Sequence, residues 1–122
     1  MAKKILIVDD EVDVVKLVSA HLRIAGYESI SAIDGNTGLE MARTQNPDLI
    51  ILDLMLPGLS GYEVCRMIKF DERYKHIPII LFSARTSDED MKTAKEVGAD
   101  AYVTKPYESA ALLAKIKELI KA

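Results

Sequence analysis

The sequence is poor in the features of secreted and membrane proteins. Its 122 residues include one cysteine, Cys65, and no tryptophan. A single cysteine cannot form an internal disulfide, so a secreted disulfide scaffold is excluded, and its place among apolar neighbours predicts a buried side chain. No apolar run approaches the roughly 20 residues of a membrane helix, and the short run after Met1 is too brief for a signal peptide. We therefore expect a cytoplasmic protein that does not associate with membranes.

Excess basic charge is also missing. The chain has 16 basic and 19 acidic residues, which give a net charge of -3. This balance argues against direct nucleic-acid binding by the domain alone. Internal repeats, low-complexity segments and flexible linkers are absent, and a hydrophobic content of 49% is ordinary for a globular chain. We expect residues 1–122 to form one domain whose partners are proteins, or small anions held by a metal.

What the sequence does contain is a regular alternation of short apolar runs and longer amphipathic segments. The apolar runs predict five strands at 4–8, 28–32, 49–52, 79–82 and 101–104. The amphipathic segments predict five helices, beginning near residues 12, 35, 60, 87 and 109 and ending near residues 26, 45, 70, 98 and 121. Strands separated by single helices favour a parallel α/β sheet covered on both faces.

Charged and polar side chains follow four of the five predicted strands. Asp9 and Asp10 follow the first strand, Asp53 the third, Ser83 the fourth and Lys105 the fifth. Ligands of open parallel sheets bind at the carboxyl ends of the strands, so we expect these side chains to gather at one edge. Neighbouring carboxylates repel one another unless a cation lies between them. Oxygen ligands without histidine favour Mg²⁺ over Zn²⁺.

Each of these residues, taken alone, has an ordinary explanation. An aspartate after a strand commonly caps a helix or forms a turn, and a lone serine or lysine is commonly a turn or surface residue. Asp53 is harder to explain in this way, because apolar residues continue beyond it and no capping pattern begins before Ser60. Glu11 is expected only to favour the start of the first helix by its charge. The coincidence of polar residues at four strand ends favours a shared site.

Four separated motifs give the chain a family resemblance. In order and spacing, "VDDE", "LDLMLPGLSG", "LFSA" and "GADAYVTKPY" resemble the receiver domain of bacterial two-component response regulators, chemotaxis regulators among them, along essentially the whole chain. The resemblance implies the flavodoxin-like, doubly wound (βα)5 fold, a five-stranded parallel sheet of order 2-1-3-4-5 with helices on both faces. It also implies a switch that takes a phosphoryl group from a sensor histidine kinase or a phosphotransfer protein. The signal would then pass to a downstream protein target or a fused output domain.

The same resemblance implies a metal-dependent phosphoacceptor. Asp53 would be the carboxylate nucleophile, and it would bind Mg²⁺ together with Asp10 and the backbone carbonyl of Met55. Asp9 would contribute directly or through a metal-bound water. Mn²⁺ is expected to substitute for Mg²⁺.

Three residues after the fourth and fifth strands are implied to hold the phosphoryl group. Lys105 would pair with Asp53 or with a phosphate oxygen, and the Ser83 hydroxyl and Ala84 backbone N–H would hold another oxygen. Pro106 matches a family position whose peptide bond is cis, although a trans bond is the default from sequence alone.

Further positions are implied to govern the switch and its lifetime. Tyr102 would turn inward as Ser83 moves toward the phosphoryl group, and the face of helix 4, strand 5 and helix 5 would report the change. Met55 and Arg85 would flank the path of the hydrolysing water. Because both side chains are large, we expect a long-lived phosphoryl-aspartate.

Two other functions compete with the signalling interpretation. A phosphohydrolase with an aspartyl nucleophile would place an acid two residues later, where this chain has Met55. A receiver-like domain that no longer accepts phosphate is opposed by the complete set of strand-end residues. We therefore expect no turnover of outside substrates, only self-catalysed phosphorylation and slow dephosphorylation.

The pattern on the last helix leaves the output open. Receivers joined to winged-helix DNA-binding domains often carry an Arg-Glu pair at the positions of Ala110 and Ala111, whereas Asp100 and Lys115 do fit their charged pattern. We therefore expect a stand-alone receiver, or one cut from a longer protein whose output is not a winged-helix domain.

Overall fold

A computed structural model of the protein describes residues 2–84 and 87–120. In this part of the chain five strands alternate with five helices. The strands are β1 Lys4–Val8, β2 Glu28–Ala32, β3 Leu49–Asp53, β4 Ile79–Ser83 and β5 Ala101–Thr104. The helices are α1 Val12–Ile24, α2 Gly35–Thr44, α3 Gly61–Lys69, α4 Asp88–Glu96 and α5 Ser109–Ile120. No helix in this part of the chain is long and apolar enough to cross a membrane.

The strands form one parallel sheet in the order β2-β1-β3-β4-β5. The strand order reverses at β1, which pairs with β2 on one side and with β3 on the other. Val8 lies opposite Leu52, and Asp53 lies opposite Phe82, so the carboxyl ends of the central strands are level. The predicted parallel α/β fold and the strand order implied by the resemblance are both confirmed.

Strands β3 and β4 are each one residue longer than predicted. Their last residues are Asp53 and Ser83, which pair in register with Phe82 and Thr104 of the neighbouring strands. The apolar pattern stops before these polar residues, and the predicted strands therefore stop early as well. Because both residues belong to the sheet, hydrogen bonding between strands fixes their backbones.

Two apolar layers cover the two faces of the sheet. Successive residues of a strand point to opposite faces, so Leu6 packs beneath α2, α3 and α4, whereas Ile7 packs beneath α1 and α5. This two-sided burial explains the continuously apolar sequences of the central strands. Cys65 of α3 is fully buried in the first layer, and burial raises the pKa of its thiol to about 12. It is the inert packing residue that the sequence predicts.

The helices next to the site begin with side-chain caps. At α3 the Glu63 N–H donates to Ser60 Oγ over 3.2 Å, and the Ser60 N–H donates to Glu63 Oε1 over 3.0 Å. This reciprocal cap is the one that the sequence predicts. At α2 the N–H of Thr37 donates to Asp34 Oδ1 over 2.7 Å, a cap that the predicted helix start did not include.

The first residue of α3 lies directly against the end of β3. The Gly61 N–H donates to the carbonyl oxygen of Leu54 over 3.0 Å. A Cβ atom on Gly61 would meet the Asp53 carbonyl oxygen and would come within 2.8 Å of Leu54 Cα. Only glycine fits at this close approach, which sets the position of the loop after Asp53.

Candidate functional site

The carboxyl ends of β1 and β3 bring three carboxylates together. Asp9, Asp10 and Asp53 each offer an oxygen atom, and these atoms all lie within 4.8 Å of one another. Asp9 and Asp53 are buried, whereas Asp10 is exposed. The group thus offers two buried carboxylates and one that is open to water, an arrangement that suits a small hydrated cation.

Asp53 lies in an environment that disfavours its charge. Its side chain is only 6% exposed. Burial and the neighbouring Asp9 carboxylate raise the pKa of Asp53 to about 6, against the opposing influence of Lys105 and of the Met55 N–H. That N–H donates to Asp53 Oδ1 over 3.3 Å. A cation among the three carboxylates would favour their ionised forms.

Lys105 faces the carboxylates from the end of β5. Its Nζ lies 2.9 Å from Asp9 Oδ2, 2.9 Å from Glu11 Oε1 and 3.5 Å from Asp53 Oδ2. Burial lowers the pKa of Lys105, but its hydrogen bond to Glu11 and the charges of Asp9 and Asp53 raise that pKa well above its usual range. The peptide bond that joins Lys105 to Pro106 is cis. The lysine is therefore a permanent positive charge at this edge.

Glu11 takes a larger part in the site than its sequence position predicts. Besides pairing with Lys105, it donates its backbone N–H to Asp9 Oδ1 over 2.9 Å. The expectation that Glu11 only favours the start of the helix was incomplete. Glu11 and Lys105 are 94 residues apart, and no sequence pattern indicates that two such side chains meet.

A bound cation would stabilise the buried carboxylate of Asp9 in particular. Its Oδ2 is buried and contacts the Lys105 ammonium, but no hydrogen bond of good geometry reaches it within the described residues. A buried carboxylate oxygen with a lone pair unused is costly unless a further positive partner is present. This atom is the clearest local sign that the donor set fits a metal ion.

The remaining predicted residues lie at the mouth of the site or next to it. Ser83, Ala84 and Met55 line a cavity of about 330 Å³ that also borders Asp53, and Met55 is 62% exposed. Tyr102 is half-buried on β5 and packs against the apolar layer beneath α2, α3 and α4. Arg85, the other predicted rate-tuning residue, lies outside the described residues.

An aromatic contact behind Lys105 was not predicted. The Tyr107 hydroxyl lies 2.7 Å from Nδ1 of His21 on α1, and the Tyr107 ring meets Phe82 edge-on at a centroid distance of 5.5 Å. The sequence "KPY" indicates an aromatic residue after the lysine, but nothing in it indicates a histidine on α1 as the partner. The contact joins α1 to the loop that carries Lys105 and Pro106.

Comparison with known proteins identifies similar chains. A family model described as the response regulator receiver domain matches residues 5–117. The chain is 40% identical over 121 residues to the alkaline phosphatase synthesis transcriptional regulatory protein PhoP of Bacillus subtilis. The alignment covers 99% of this chain and 50% of PhoP, so the chain spans about half the length of this curated relative.

Two solved structures are similar over nearly the whole chain. The chemotaxis response regulator CheY4 of Vibrio cholerae superposes with a TM-score of 0.90 at 33% identity, over 98% of this chain and 99% of that one. The receiver domain of the sensor histidine kinase PA1611 from Pseudomonas aeruginosa superposes with a TM-score of 0.91 at 30% identity, over 100% of both chains. The PA1611 domain has a magnesium ion coordinated in its active site cleft.

Proposed function

This chain belongs to the response regulator receiver domain family, and from that premise we propose that Asp53 is the phosphoacceptor of a two-component phosphorelay. The observation that carries the proposal is the grouping of Asp9, Asp10 and Asp53 beside Lys105 at the carboxyl edge of the sheet. A carboxylate nucleophile, a cation site and a fixed ammonium group together suit phosphoryl transfer.

Mg²⁺ is the cofactor that we propose for this donor set. Asp10 and Asp53 would bind it with the backbone carbonyl of Met55, and Asp9 would bind directly or through a water molecule. The magnesium ion in the receiver domain of PA1611 supports this assignment. When bound, the ion supplies positive charge that offsets the carboxylates and the phosphoryl oxygens. Mn²⁺ would substitute, because the same oxygen ligands suit it.

The chain's own residues would carry the transfer step. A carboxylate oxygen of Asp53 attacks phosphorus, the bond from phosphorus to the donor nitrogen breaks, and an acyl phosphate forms. Lys105 would balance one phosphoryl oxygen, while the Ser83 hydroxyl and the Ala84 N–H would donate to another. Because such a transfer needs positioning and charge balance more than covalent help, the domain would catalyse only its own phosphorylation and slow dephosphorylation.

The partners follow from this scheme as proposals. The donor would be a phosphohistidine on a sensor histidine kinase or a phosphotransfer protein in the cytoplasm. The receiver of the signal would be a downstream protein or a fused output domain, and the similarity to half of a transcriptional regulatory protein favours the fused form. We propose that the face of α4, β5 and α5, with Tyr102 on β5, reports phosphorylation.

Asp100 and Lys115, which fit the charged pattern of receivers joined to DNA-binding domains, both contact other residues of this chain. Asp100 Oδ2 accepts from Lys69 Nζ over 2.9 Å and from the Ile79 N–H over 2.8 Å. Lys115 lies 3.3 Å from Glu118 on the same helix. These internal contacts account for both residues without an interface between two copies.

Intact-mass measurement tests the central proposal. Incubation with Mg²⁺ and acetyl phosphate should add the mass of one phosphoryl group, and chelation of Mg²⁺ should prevent the addition. The adduct should be absent from Asp53→Asn and present in Asp34→Asn, a matched control because asparagine also caps a helix. An adduct that persists in Asp53→Asn would show that another residue is the acceptor.

The lifetime of the adduct tests the role of Met55. Met55 is exposed and lines the cavity, and we propose that its side chain obstructs the hydrolysing water. Met55→Asn should shorten the adduct lifetime by about tenfold, which corresponds to about 1.4 kcal/mol in the barrier. The loss of adduct mass with time measures this, and equal or slower hydrolysis in the variant would contradict the steric account. From the family resemblance, we propose the same role for Arg85, which lies outside the described residues.

A further inference from the structure

A second polar surface lies far from the carboxylates, where α2 and α3 end. Five side chains define this arginine patch: Arg43, Arg66, Met67, Phe70 and Arg73. Together with Asp71 and Glu72 they line an open cavity of about 610 Å³. The patch holds three of the chain's five arginines, although the chain as a whole is acidic. Helices α2 and α3 run back from the carboxyl ends of the strands, so their own carboxyl ends lie at the opposite edge of the sheet from Asp53.

The patch exposes apolar side chains beside its arginines. Met67 is 42% exposed and Phe70 is 62% exposed, and a spacing of three residues places them on one side of α3. The Arg66 guanidinium lies 5.6 Å from the centre of the Phe70 ring. Exposed apolar side chains that adjoin one another and are edged by charge are typical of interaction surfaces.

Asp71 and Glu72, the two acidic residues that line the cavity beside the arginine patch, each pair with a basic side chain. Asp71 accepts from Nε of Arg73 over 3.2 Å and from Nη2 over 2.9 Å, and the hydrogen bonds of Arg73 lower the pKa of Asp71. Glu72 lies 2.9 Å from Nζ of Lys75. These two carboxylates are therefore offset by neighbours of opposite charge.

Two arginines of the patch form no ion pair among the described residues. Within residues 2–84 and 87–120, Arg43 and Arg66 have no carboxylate at ion-pair distance. The nearby Lys69 is used, because its ammonium group bonds Asp100 and two backbone carbonyls. The patch thus has an excess of positive charge beside its exposed apolar surface: Arg66 lies over the Phe70 ring, and Arg43 acts on Asp71 only through longer-range attraction.

We infer that the arginine patch docks an acidic segment of a protein partner that carries an aromatic or aliphatic side chain. Guanidinium groups bind carboxylates through two parallel hydrogen bonds, and the remaining apolar surface can cover a side chain between them. Methionine adapts its shape to such a side chain, and arginine and aromatic residues are common at the centres of protein interfaces. The segment would bind independently of Asp53, so this surface goes beyond the phosphorelay function.

A protein segment fits the patch better than a nucleic acid does. Nucleic-acid binding rests on many cation contacts to phosphates, whereas this patch offers two arginines without an ion-pair partner among the described residues, on a chain with a net charge of -3. The exposed surface of Met67 and Phe70 also suits burial of an apolar side chain.

Selection from a displayed library of random short peptides on the immobilised full chain tests this inference. The enriched peptides should contain Asp or Glu next to Phe, Trp, Leu or Ile, and they should be synthesised and titrated by fluorescence anisotropy. Affinity should fall at least tenfold in the double variant R43Q/R66Q and at least fivefold in Phe70→Ala. The matched double variant K16Q/R23Q removes two exposed charges from α1 and should change affinity less than twofold. Far-UV circular dichroism and a cooperative denaturant-unfolding transition check that each variant is folded.

Several results would overturn the inference. One is enrichment of no peptides, and another is enrichment of peptides without acidic residues. Equal loss of affinity in K16Q/R23Q would show a general charge effect. Tighter binding of a labelled single-stranded RNA oligonucleotide, lost in R43Q/R66Q, would assign the patch to nucleic acid instead. None of these results depends on whether Asp53 accepts phosphate.

Discussion

At Asp53, the proposed nucleophile, burial shields the carboxylate from water but also opposes the negative charge that a nucleophile needs. The carboxyl group loses water on entering the site and gains the repulsion of Asp9, and both raise its pKa above the ordinary value of 3.8. Lys105 offsets only part of this, since it lies closer to Asp9 and Glu11 than to Asp53. In the absence of a cation the site is therefore a source of instability within the fold.

The pH dependence of stability should reveal this cost at Asp53. Because the folded protein favours the protonated form of Asp53, the free energy of unfolding falls as pH rises from about 4 to about 6. Asp53→Asn removes the titrating group, so in chelator-treated buffer the variant should be more stable than the wild type at neutral pH. The expected difference is about 1 to 3 kcal/mol, since one pKa unit corresponds to about 1.4 kcal/mol.

Denaturant unfolding of both proteins across pH measures this difference. The gap should close below about pH 4, where the carboxyl group is protonated in both the folded and the unfolded state. Saturating Mg²⁺ should narrow it at neutral pH by stabilising the wild type. A gap that stays constant across pH would mean that titration of Asp53 is not its cause.

The strand-end residues could be predicted from sequence, whereas their partners could not. Asp9, Asp10, Asp53, Ser83 and Lys105 were identifiable because each stands where an apolar run stops. The pairing of Glu11 with Lys105 depends on the spatial arrangement of β1 and β5 and on the direction of two side chains. The link from Tyr107 to His21 has the same origin. Local periodicity contains no information on such distant contacts.

At the scale of elements, the junction of β3 and α3 controls where Asp53 sits. Strand β3 was predicted one residue short because its last residue is a buried carboxylate. The start of α3 was predicted correctly because its cap uses residues close in sequence, Ser60 and Glu63. The start of a helix could be predicted where its cap lies within a few residues of sequence. The end of β3 could not, because pairing with β4 determines it.

Gly61→Ala should disturb this junction. The added Cβ would collide with the backbone of Asp53 and Leu54, which cannot give way as a flexible side chain could. We expect a loss of about 1 to 3 kcal/mol in unfolding free energy and slower formation of the Asp53 adduct. Denaturant unfolding and intact mass give the two measurements.

Gly26→Ala is the matched control for this substitution. Gly26 has a φ of +93°, so alanine there is strained, but nothing lies within 4 Å of the added Cβ. Its cost should be about 1 kcal/mol, with no change in the rate of adduct formation. An equal slowing of adduct formation in both variants would show that general destabilisation, and not the Asp53 junction, is responsible.

At the scale of the whole molecule, the proposed phosphorylation site lies at the carboxyl ends of the strands. The face of α4, β5 and α5 would report phosphorylation to a partner. The parallel fold could be predicted from the alternation of strands and helices, but the strand order came from the family resemblance, because periodicity does not say which strands are neighbours. Strand β5 lies at the edge of the sheet beside β4, with Ser83 opposite Thr104. A change at Ser83 is thus one strand away from the surface that holds Tyr102.

Tyr102→Ala should leave phosphorylation of Asp53 intact but weaken its effect on partner binding. If phosphate shifts a balance between two conformers through the Tyr102 ring, the variant should accept phosphate at the wild-type rate. Its ratio of affinities for an output partner, with and without phosphate, should fall by at least fivefold, whereas Tyr102→Phe should keep more of that ratio. Titration of the partner with both forms measures it, and an unchanged ratio in Tyr102→Ala would refute the coupling.

The single reversal of strand order at β1 bears on how the chain is assembled during synthesis. After β2, the remaining strands lie on the other side of β1, with β3 beside β1, β4 beside β3 and β5 beside β4. If strands were added in the order of synthesis, the sheet would widen along one side only. Asp9, Asp10 and Asp53 would then come together with β3, whereas Lys105 follows β5, the last strand of the chain. A partly formed sheet without β5 would hold the three carboxylates without the Lys105 ammonium group, and the ion proposed for signalling would then also act as a counterion during folding.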